Sequence, residues 1–455
     1  MTVSNEDQAQ VFAACEQLVD DAVELLVDLI KIPSENPGYK YDEKLYTDQG
    51  YTDLYDEPIT RGGETRVNKF LEPLLAELCD ETHIVAADPL RANLVGVINP
   101  DAEKSLTLNA HVDTVPVGLH EEWTETGGNP FNATVKEGRV YGRGATDDKG
   151  PAACLTKGVE AIRRAGFKLR GQLQLHLTAG EETGEGETIG PGWFVLEEPR
   201  FKTDACIVAE SSAPPHTNGI CLTSPGVSVL TITVQGKTVH AAMRYRTIRA
   251  GYEGEELGVS AVDKGYKIYR ALFELEQEWG LKLDPSGLTP YGFPSIPIGW
   301  VKGQPKGIEL PFFIADHYEM SMAVWRYWFE DRDEIRSEVN RVIDEVVQSD
   351  HWLRENPPIV DWWYDWPAFR IDKNHALTRT VAMAYEAAMQ EPPRYQSWQP
   401  VSDARWYQDL GGPSILIGPG DYRTAHALNE YIDIDHFLPA MQIYALSAMD
   451  WLGYE

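Results

Sequence analysis

The sequence predicts an α/β fold interrupted by a smaller α+β domain, on three observations. Between residues 93 and 209, short apolar runs of strand type alternate with stretches of helical period. That is the pattern of a mixed sheet with helices on both faces. Near residue 224 the pattern changes to strand, helix, strand, helix, which fits a small α+β insert. From residue 374 onward, helix–strand–helix character returns. The expected division is a discontinuous main domain, 1–223 and 358–455, and an inserted domain, 224–357.

Residues 11–32 place Phe12, Cys15, Leu18, Ala22, Leu25, Leu26 and Leu29 at helical spacing, and Pro33 stops the run. Residues 39–66 are rich in Tyr, Asp and Gly without a period, and read as a surface insertion. Gly62 and Gly63 precede a second helical run at 67–78. Strands are expected at 93–98 and 106–110, a helix at 152–165, a strand at 172–178, a short helix at 193–196 and a strand at 205–209. In the insert, 227–234 alternates as a strand, 260–279 is helical, 320–328 is a strand and 334–347 is an amphipathic helix. Pro357 and Pro358 mark a return linker. A short strand at 414–417 and a closing helix at 440–451 complete the chain. Ten of the 13 tryptophans lie between Trp279 and Trp406, with Trp362, Trp363 and Trp366 clustered. Such rings serve as core and interface anchors, or here as an aromatic wall over a substrate cleft.

The chain has 455 residues, 43% hydrophobic and 24% charged, a composition that folds into a globular core. Seventy-one Asp and Glu against 40 Lys and Arg give a formal charge of −31. Nucleic acid and anionic membrane both need a positive footprint, so neither is expected as a partner. No apolar run approaches the roughly 18 residues that span a bilayer. Met1 to Gln10 is polar and acidic, unlike a secretory leader. Five scattered cysteines without a C-x-x-C pair read as free thiols. The expectation is a cytoplasmic protein.

Four apolar runs end directly in a metal-type ligand. They are the runs before His111 and Asp113, before Glu181 and Glu182, before Glu210, and the run 414–420 followed by His426. In open α/β sheets, function gathers at the carboxyl ends of the strands. A fifth segment, Gly142-Arg-Gly-Ala-Thr-Asp147-Asp148-Lys-Gly150, is a Gly-rich loop opening onto a helix with two adjacent carboxylates. A pair of divalent ions needs a bridging carboxylate and further ligands on each ion. Imidazole with carboxylate suits zinc, and carboxylate-rich sets also accept manganese or cobalt.

On these segments the sequence resembles the M20 family of metallopeptidases and deacylases, which includes acetylornithine deacetylase, succinyl-diaminopimelate desuccinylase and bacterial glutamate carboxypeptidases. Ile32-Pro-Ser34, His111-Val-Asp113, the 142–150 loop, Gly180-Glu-Glu-Thr-Gly184, Glu210, Gly236-Lys-Thr-Val-His240 and Gly418-Pro-Gly420 with His426 and Glu430 follow in the family's order. The resemblance implies a di-metal catalytic domain and an inserted lid or dimerisation domain. It implies that His111 and Glu210 hold one ion, Glu182 and His426 the other, and that Asp147 bridges them. Asp148 is the alternative bridge. Asp113 would orient His111, since a strand's period of two puts both on one face. Glu181 would be the general base, taking a proton from the attacking water and passing it to the leaving nitrogen. His240 would polarise the scissile carbonyl, often from a partner subunit, which implies a homodimer through the lid. Arg326 would hold a substrate carboxylate.

Three features depart from the family's pattern. His240 is followed by Ala-Ala-Met-Arg-Tyr-Arg, an extra stretch occupies 246–258, and the usual substrate segment before Arg326 is reduced to Leu310-Pro311. The remaining histidines (His83, His120, His176, His216, His317, His351, His375 and His436) lack a ligand context, and His176 reads as a core residue. The leading expectation is a metal-dependent hydrolase of a C–N amide bond in a dipeptide or N-acyl amino acid, with zinc first and manganese or cobalt as alternatives. The second is hydrolysis of a non-peptide C–N bond, an aromatic amide or amine, on the same site. The third is a catalytically silent binding protein, but no ligand or base is missing.

Overall fold

The computed structural model describes residues 3–36, 62–212 and 217–455. Its chain divides into two compact units. The first comprises Met1–Thr223, Phe369–Trp398 and Ser402–Glu455; the second comprises Ser224–Ala368 and Gln399–Val401.

The strands are β1 (Glu81–Val85), β2 (Asn93–Ile98), β3 (Ser105–His111), β4 (Thr134–Lys136), β5 (Arg139–Tyr141), β6 (Gln172–Thr178), β7 (Cys206–Val208), β8 (Ile220–Thr223), β9 (Gly226–Gln235), β10 (Ile298–Gln304), β11 (His317–Arg326), β12 (Ile359–Trp366), β13 (Tyr395–Ser397), β14 (Ser414–Leu416) and β15 (Tyr431–Asp433). In the first unit an eight-stranded sheet runs β1-β2-β6-β3-β7-β14-β8-β13. It is mixed: β6, β3, β7 and β14 are mutually parallel, while β1, β2 and β6 pair antiparallel.

Every residue of β3 and β6 is buried, as central strands covered on both faces must be. The cover over β2 shows how alternation sets the two layers. Val95 and Val97 pack with Phe194, Val195 and Phe201 on one face. Gly96 points the other way, where an added Cβ would meet the Cys79 sulfur at 2.7 Å and Leu75 at 3.0 Å. Only a glycine lets the helix Glu64–Leu78 lie that close. The helices Lys149–Arg164 and Phe437–Leu452 pack against each other and are buried along most of their length. A three-stranded sheet, β15-β5-β4, ties the 139–141 segment to the chain just after Glu430.

The second unit is an antiparallel sheet, β10-β11-β9-β12, packed on the helices Ala261–Trp279 and Arg332–Ser349 through Leu230, Ile232, Leu272, Met320, Met322 and Val339. β9 is flanked on both sides by β11 and β12, so the open edges belong to β10 and β12.

Three expectations change. The single helix at 11–32 is two, Asn5–Gln17 and Val19–Ile30, separated at Leu18. Pro357 and Pro358 do not return the chain to the first unit: they precede β12, which pairs along β9, and the return falls after Ala368. The stretch 39–66 lies outside the described residues up to position 61, and its end belongs to a helix in which Glu64 is fully buried.

Candidate active site

His111 is the last residue of β3, and Asp113 follows it on the strand's extension. Glu181 and Glu182 sit in the turn after β6, and Glu210 lies two residues beyond β7. His426 lies on the loop after β14, in a left-handed conformation (φ 59°) that side-chain-bearing residues seldom adopt. β6, β3, β7 and β14 are parallel neighbours, so their carboxyl ends form one edge. Gly418 permits the closest part of this approach, since a Cβ there would come within 2.5 Å of the Glu210 carbonyl oxygen.

The five expected ligands converge. His111 Nε2 is 2.9 Å from Asp147 Oδ1 and 3.9 Å from Glu210 Oε1. His426 Nε2 is 3.2 Å from Asp147 Oδ2 and 3.0 Å from Glu182 Oε2. Asp147 thus presents one oxygen to each imidazole. Donor atoms of His111, Asp147 and Glu182 all lie within 4.8 Å of one another, a group able to hold a metal ion. Asp148, the alternative bridge, turns instead to the main chain, where Oδ2 accepts the His111 N–H at 3.0 Å.

The donor set fits divalent cations. Four carboxylates (Asp147, Glu181, Glu182 and Glu210) crowd two imidazoles in a largely buried pocket. Burial pushes the Glu181 and Glu210 carboxyls well up, and neighbouring carboxylates add to this while His111 opposes it. Burial also resists ionisation of Asp147, but hydrogen bonds from His111 and His426 outweigh it and hold this carboxyl below the usual range. Two divalent ions would relieve this crowding of negative charge.

Asp113 does more than the sequence implied. His111 Nδ1 lies 3.0 Å from the Asp113 main-chain carbonyl and 3.5 Å from its carboxylate. A Nδ1–H donated to that carbonyl fixes the ring so that Nε2 faces Asp147, where an ion would displace the Nε2 proton and take its place. The Asp113 carboxylate itself accepts the N–H groups of Glu181 (3.2 Å) and Glu182 (3.1 Å) and the Asn36 side-chain amide (2.8 Å). It therefore holds the turn that carries both glutamates.

His240 and Arg326 belong to the second unit. His240 Nδ1 accepts the Ala242 N–H at 3.1 Å, and its ring is exposed. Arg326 is not an open guanidinium. It is buried, donates to Ser228 Oγ at 3.1 Å, and lies 3.3 Å from Asp365. The 246–258 stretch continues a short exposed helix, Arg244–Ile248, into a turn at Gly254–Glu256.

Sequence reading passed over Asp403. Its Oδ2 accepts from Thr178 Oγ1 (2.9 Å) at the end of β6, and burial pushes its carboxyl up to about 7. In sequence it stands just before the helix Ala404–Asp409, where an Asp reads as an ordinary cap. Glu430, matched but given no role, is also buried and bonds to the 142–147 loop.

Residues 107–450 match the sequence profile of peptidase family M20/M25/M40. The chain is 31% identical over 385 residues to an N-formyl-4-amino-5-aminomethyl-2-methylpyrimidine deformylase of Bacillus subtilis, an alignment covering 82% of this chain and 85% of that one. In structure it resembles a dipeptidase from Saccharomyces cerevisiae, with a TM-score of 0.72, 16% identity, and 98% of both chains covered. It also resembles a dinuclear metal-binding peptidase of the M20 family from Bacillus subtilis, with a TM-score of 0.61, 15% identity, and 96% and 99% covered. With this profile spanning most of the chain and the strand ends that carry His111, Glu181, Glu182 and Glu210 meeting at one sheet edge, the chain belongs to peptidase family M20/M25/M40 and is a hydrolase of C–N amide bonds.

Proposed function

We propose that the chain hydrolyses a small N-formyl, or similarly short, acyl amide of a heteroaromatic amine, using two divalent ions held by His111, Asp147, Glu182, Glu210 and His426. The convergence of these five side chains, with Glu181 beside them, is the observation that carries hydrolysis. The aromatic amide is favoured by the similarity to the pyrimidine deformylase. It is favoured too by Arg326, whose engagement with Asp365 does not suit a role in holding a substrate carboxylate. Zinc is the first choice for these donors, with manganese or cobalt next.

Bound ions would polarise the amide carbonyl and lower the pKa of water. Glu181, its main chain fixed by Asp113 and its carboxyl raised by burial, takes the proton from the attacking water and delivers it to the departing nitrogen. His240 accepts a main-chain N–H at Nδ1, so its neutral ring carries the proton on Nε2, a donor suited to a carbonyl oxygen. We assign it that role from a partner subunit, in a homodimer built on the open edges β10 and β12. The substrate is a small molecule, and no helix among the described residues is long and apolar enough to cross a membrane. Free cysteines at all five positions accord with a cytoplasmic setting.

The test is amine release from a panel of N-formyl aminopyrimidines, dipeptides and N-acetyl amino acids, after chelation and reloading with zinc, manganese or cobalt. Turnover of the formyl heteroaromatic amide is expected. Turnover of dipeptides alone would return the reading to the peptidase expectation, and inactivity of every metal form on every amide would remove hydrolysis.

A further inference from the structure

Glu430 is four residues beyond His426, fully buried, and outside the ligand set. Its Oε1 accepts the main-chain N–H groups of Thr146 (2.8 Å) and Asp147 (3.1 Å). Its Oε2 accepts from the Gly144 N–H (3.2 Å) and from Arg143 Nη1 (2.5 Å). Its main-chain carbonyl accepts the Gly142 N–H at 3.0 Å. A carboxylate has about four acceptor directions, and here four donors fill them. Arg143, equally buried, is fixed in turn by the Pro116 carbonyl at 3.2 Å and by the Trp123 ring at 5.0 Å.

These contacts fall on one short piece of chain, 142–147, and the last of them is the N–H of Asp147 itself. Immediately beyond it, the Asp147 carboxylate divides its oxygens between His111 and His426. The same residue that grips this loop follows His426 by four residues, Ala427 to Glu430, along the chain. A carboxylate at Glu430 therefore sets the position of two partners at once.

We propose that Glu430, backed by Arg143, is a positioning residue of the two-ion site: it fixes the Asp147 main chain relative to His426 so that Asp147 can bridge. This rests on the assignment of Asp147 and His426 as ligands. Glutamine at 430 keeps the shape but turns an NH₂ toward main-chain N–H donors, so one side of the cradle becomes repulsive. Aspartate keeps the charge and withdraws it by one methylene.

The experiment measures bound ions per chain after dialysis, together with the electron paramagnetic spectrum of manganese-loaded protein. Wild type should hold two ions with a coupled-pair spectrum. Glu430→Gln should fold and lose affinity for one ion by about 10–100-fold, the usual cost of losing an orienting partner. Its spectrum should become that of isolated ions, and kcat should fall with KM little changed. Glu430→Asp should lie between the two, and it carries the test if Glu430→Gln does not fold. Arg143→Lys should retain the coupled pair. A folded variant at 430 with two ions of wild-type affinity and an unchanged coupled spectrum overturns the proposal. A wild-type protein that binds no ion pair overturns the ligand assignment itself, and this proposal with it.

Discussion

Glu181 and Glu182 are neighbours in sequence with different surroundings. Glu182 accepts the Val115 N–H at 3.0 Å and faces His426, whereas Glu181 approaches His111 at 4.0 Å. These surroundings accord with the proposed division, Glu182 as a ligand and Glu181 as the base. Glu181→Gln should therefore keep both ions, by elemental analysis, while single-turnover rates fall by about 10²–10⁴. Wild-type turnover in this variant would remove Glu181 as the base. His176 illustrates the opposite use of a buried histidine. Its nitrogens face Tyr407 and Gln174, both at 2.8 Å, and burial lowers its pKa to about 3. The unfolded chain binds a proton there below about 6.5 and the folded chain does not until about 3. The stability this residue contributes is complete above pH 6.5 and is lost as pH falls through that window. His176→Gln should lose about 2 kcal/mol less than wild type between pH 7 and 5, read by denaturant melts.

At the scale of elements, Arg91 joins three segments. Its Nε donates to Glu64 on the helix Glu64–Leu78, and Nη1 donates to Glu185 in the turn after β6, both at 2.8 Å. Glu64 is fully buried, and burial pushes its carboxyl up to about 8 even beside this arginine. Arg91→Met should destabilise by about 1–3 kcal/mol by leaving the buried Glu64 carboxyl without its donor, and adding Glu64→Leu should recover part of the loss, because no unpaired polar group then remains. A double variant no more stable than Arg91→Met would show that an unpaired Glu64 carboxyl is not the source of the loss. The strands that lead to His111, Glu181 and Glu210 were legible because each is a buried apolar run that stops at a polar residue. β10 and β12 were not: β10 is exposed along most of its length, and β12 alternates exposed and half-buried positions among tryptophans that read as anchors. The contacts of Glu430, Asp403 and Asn36 span long sequence separations, so no local pattern marks them.

For the whole molecule, the proposed role of His240 predicts that it acts from a partner subunit. Inactive Glu181→Gln subunits mixed with inactive His240→Ala subunits should regain activity, since a mixed pair contains one site with both residues intact. Failure to recover, with subunit exchange confirmed by light scattering and mass labels, would place His240 in the site of its own chain. The proposed pairing would use β10 or β12, the outer strands of the sheet, since β9 is enclosed. The net charge of −31 keeps such surfaces apart except where complementary groups meet.

The order of strands also sets a timetable for synthesis. β7 and β8 emerge early, yet the strand that lies between them, β14, is made about 190 residues after β8, a stretch that includes the whole second unit. At the usual 5–20 residues per second, the nascent chain waits roughly 10–40 s for β14, with one edge of β7 unpaired and β8 without its β14 partner. A ribosome stalled before residue 414 should present that gap to holding chaperones, and release from them should coincide with the arrival of Ser414–Leu416.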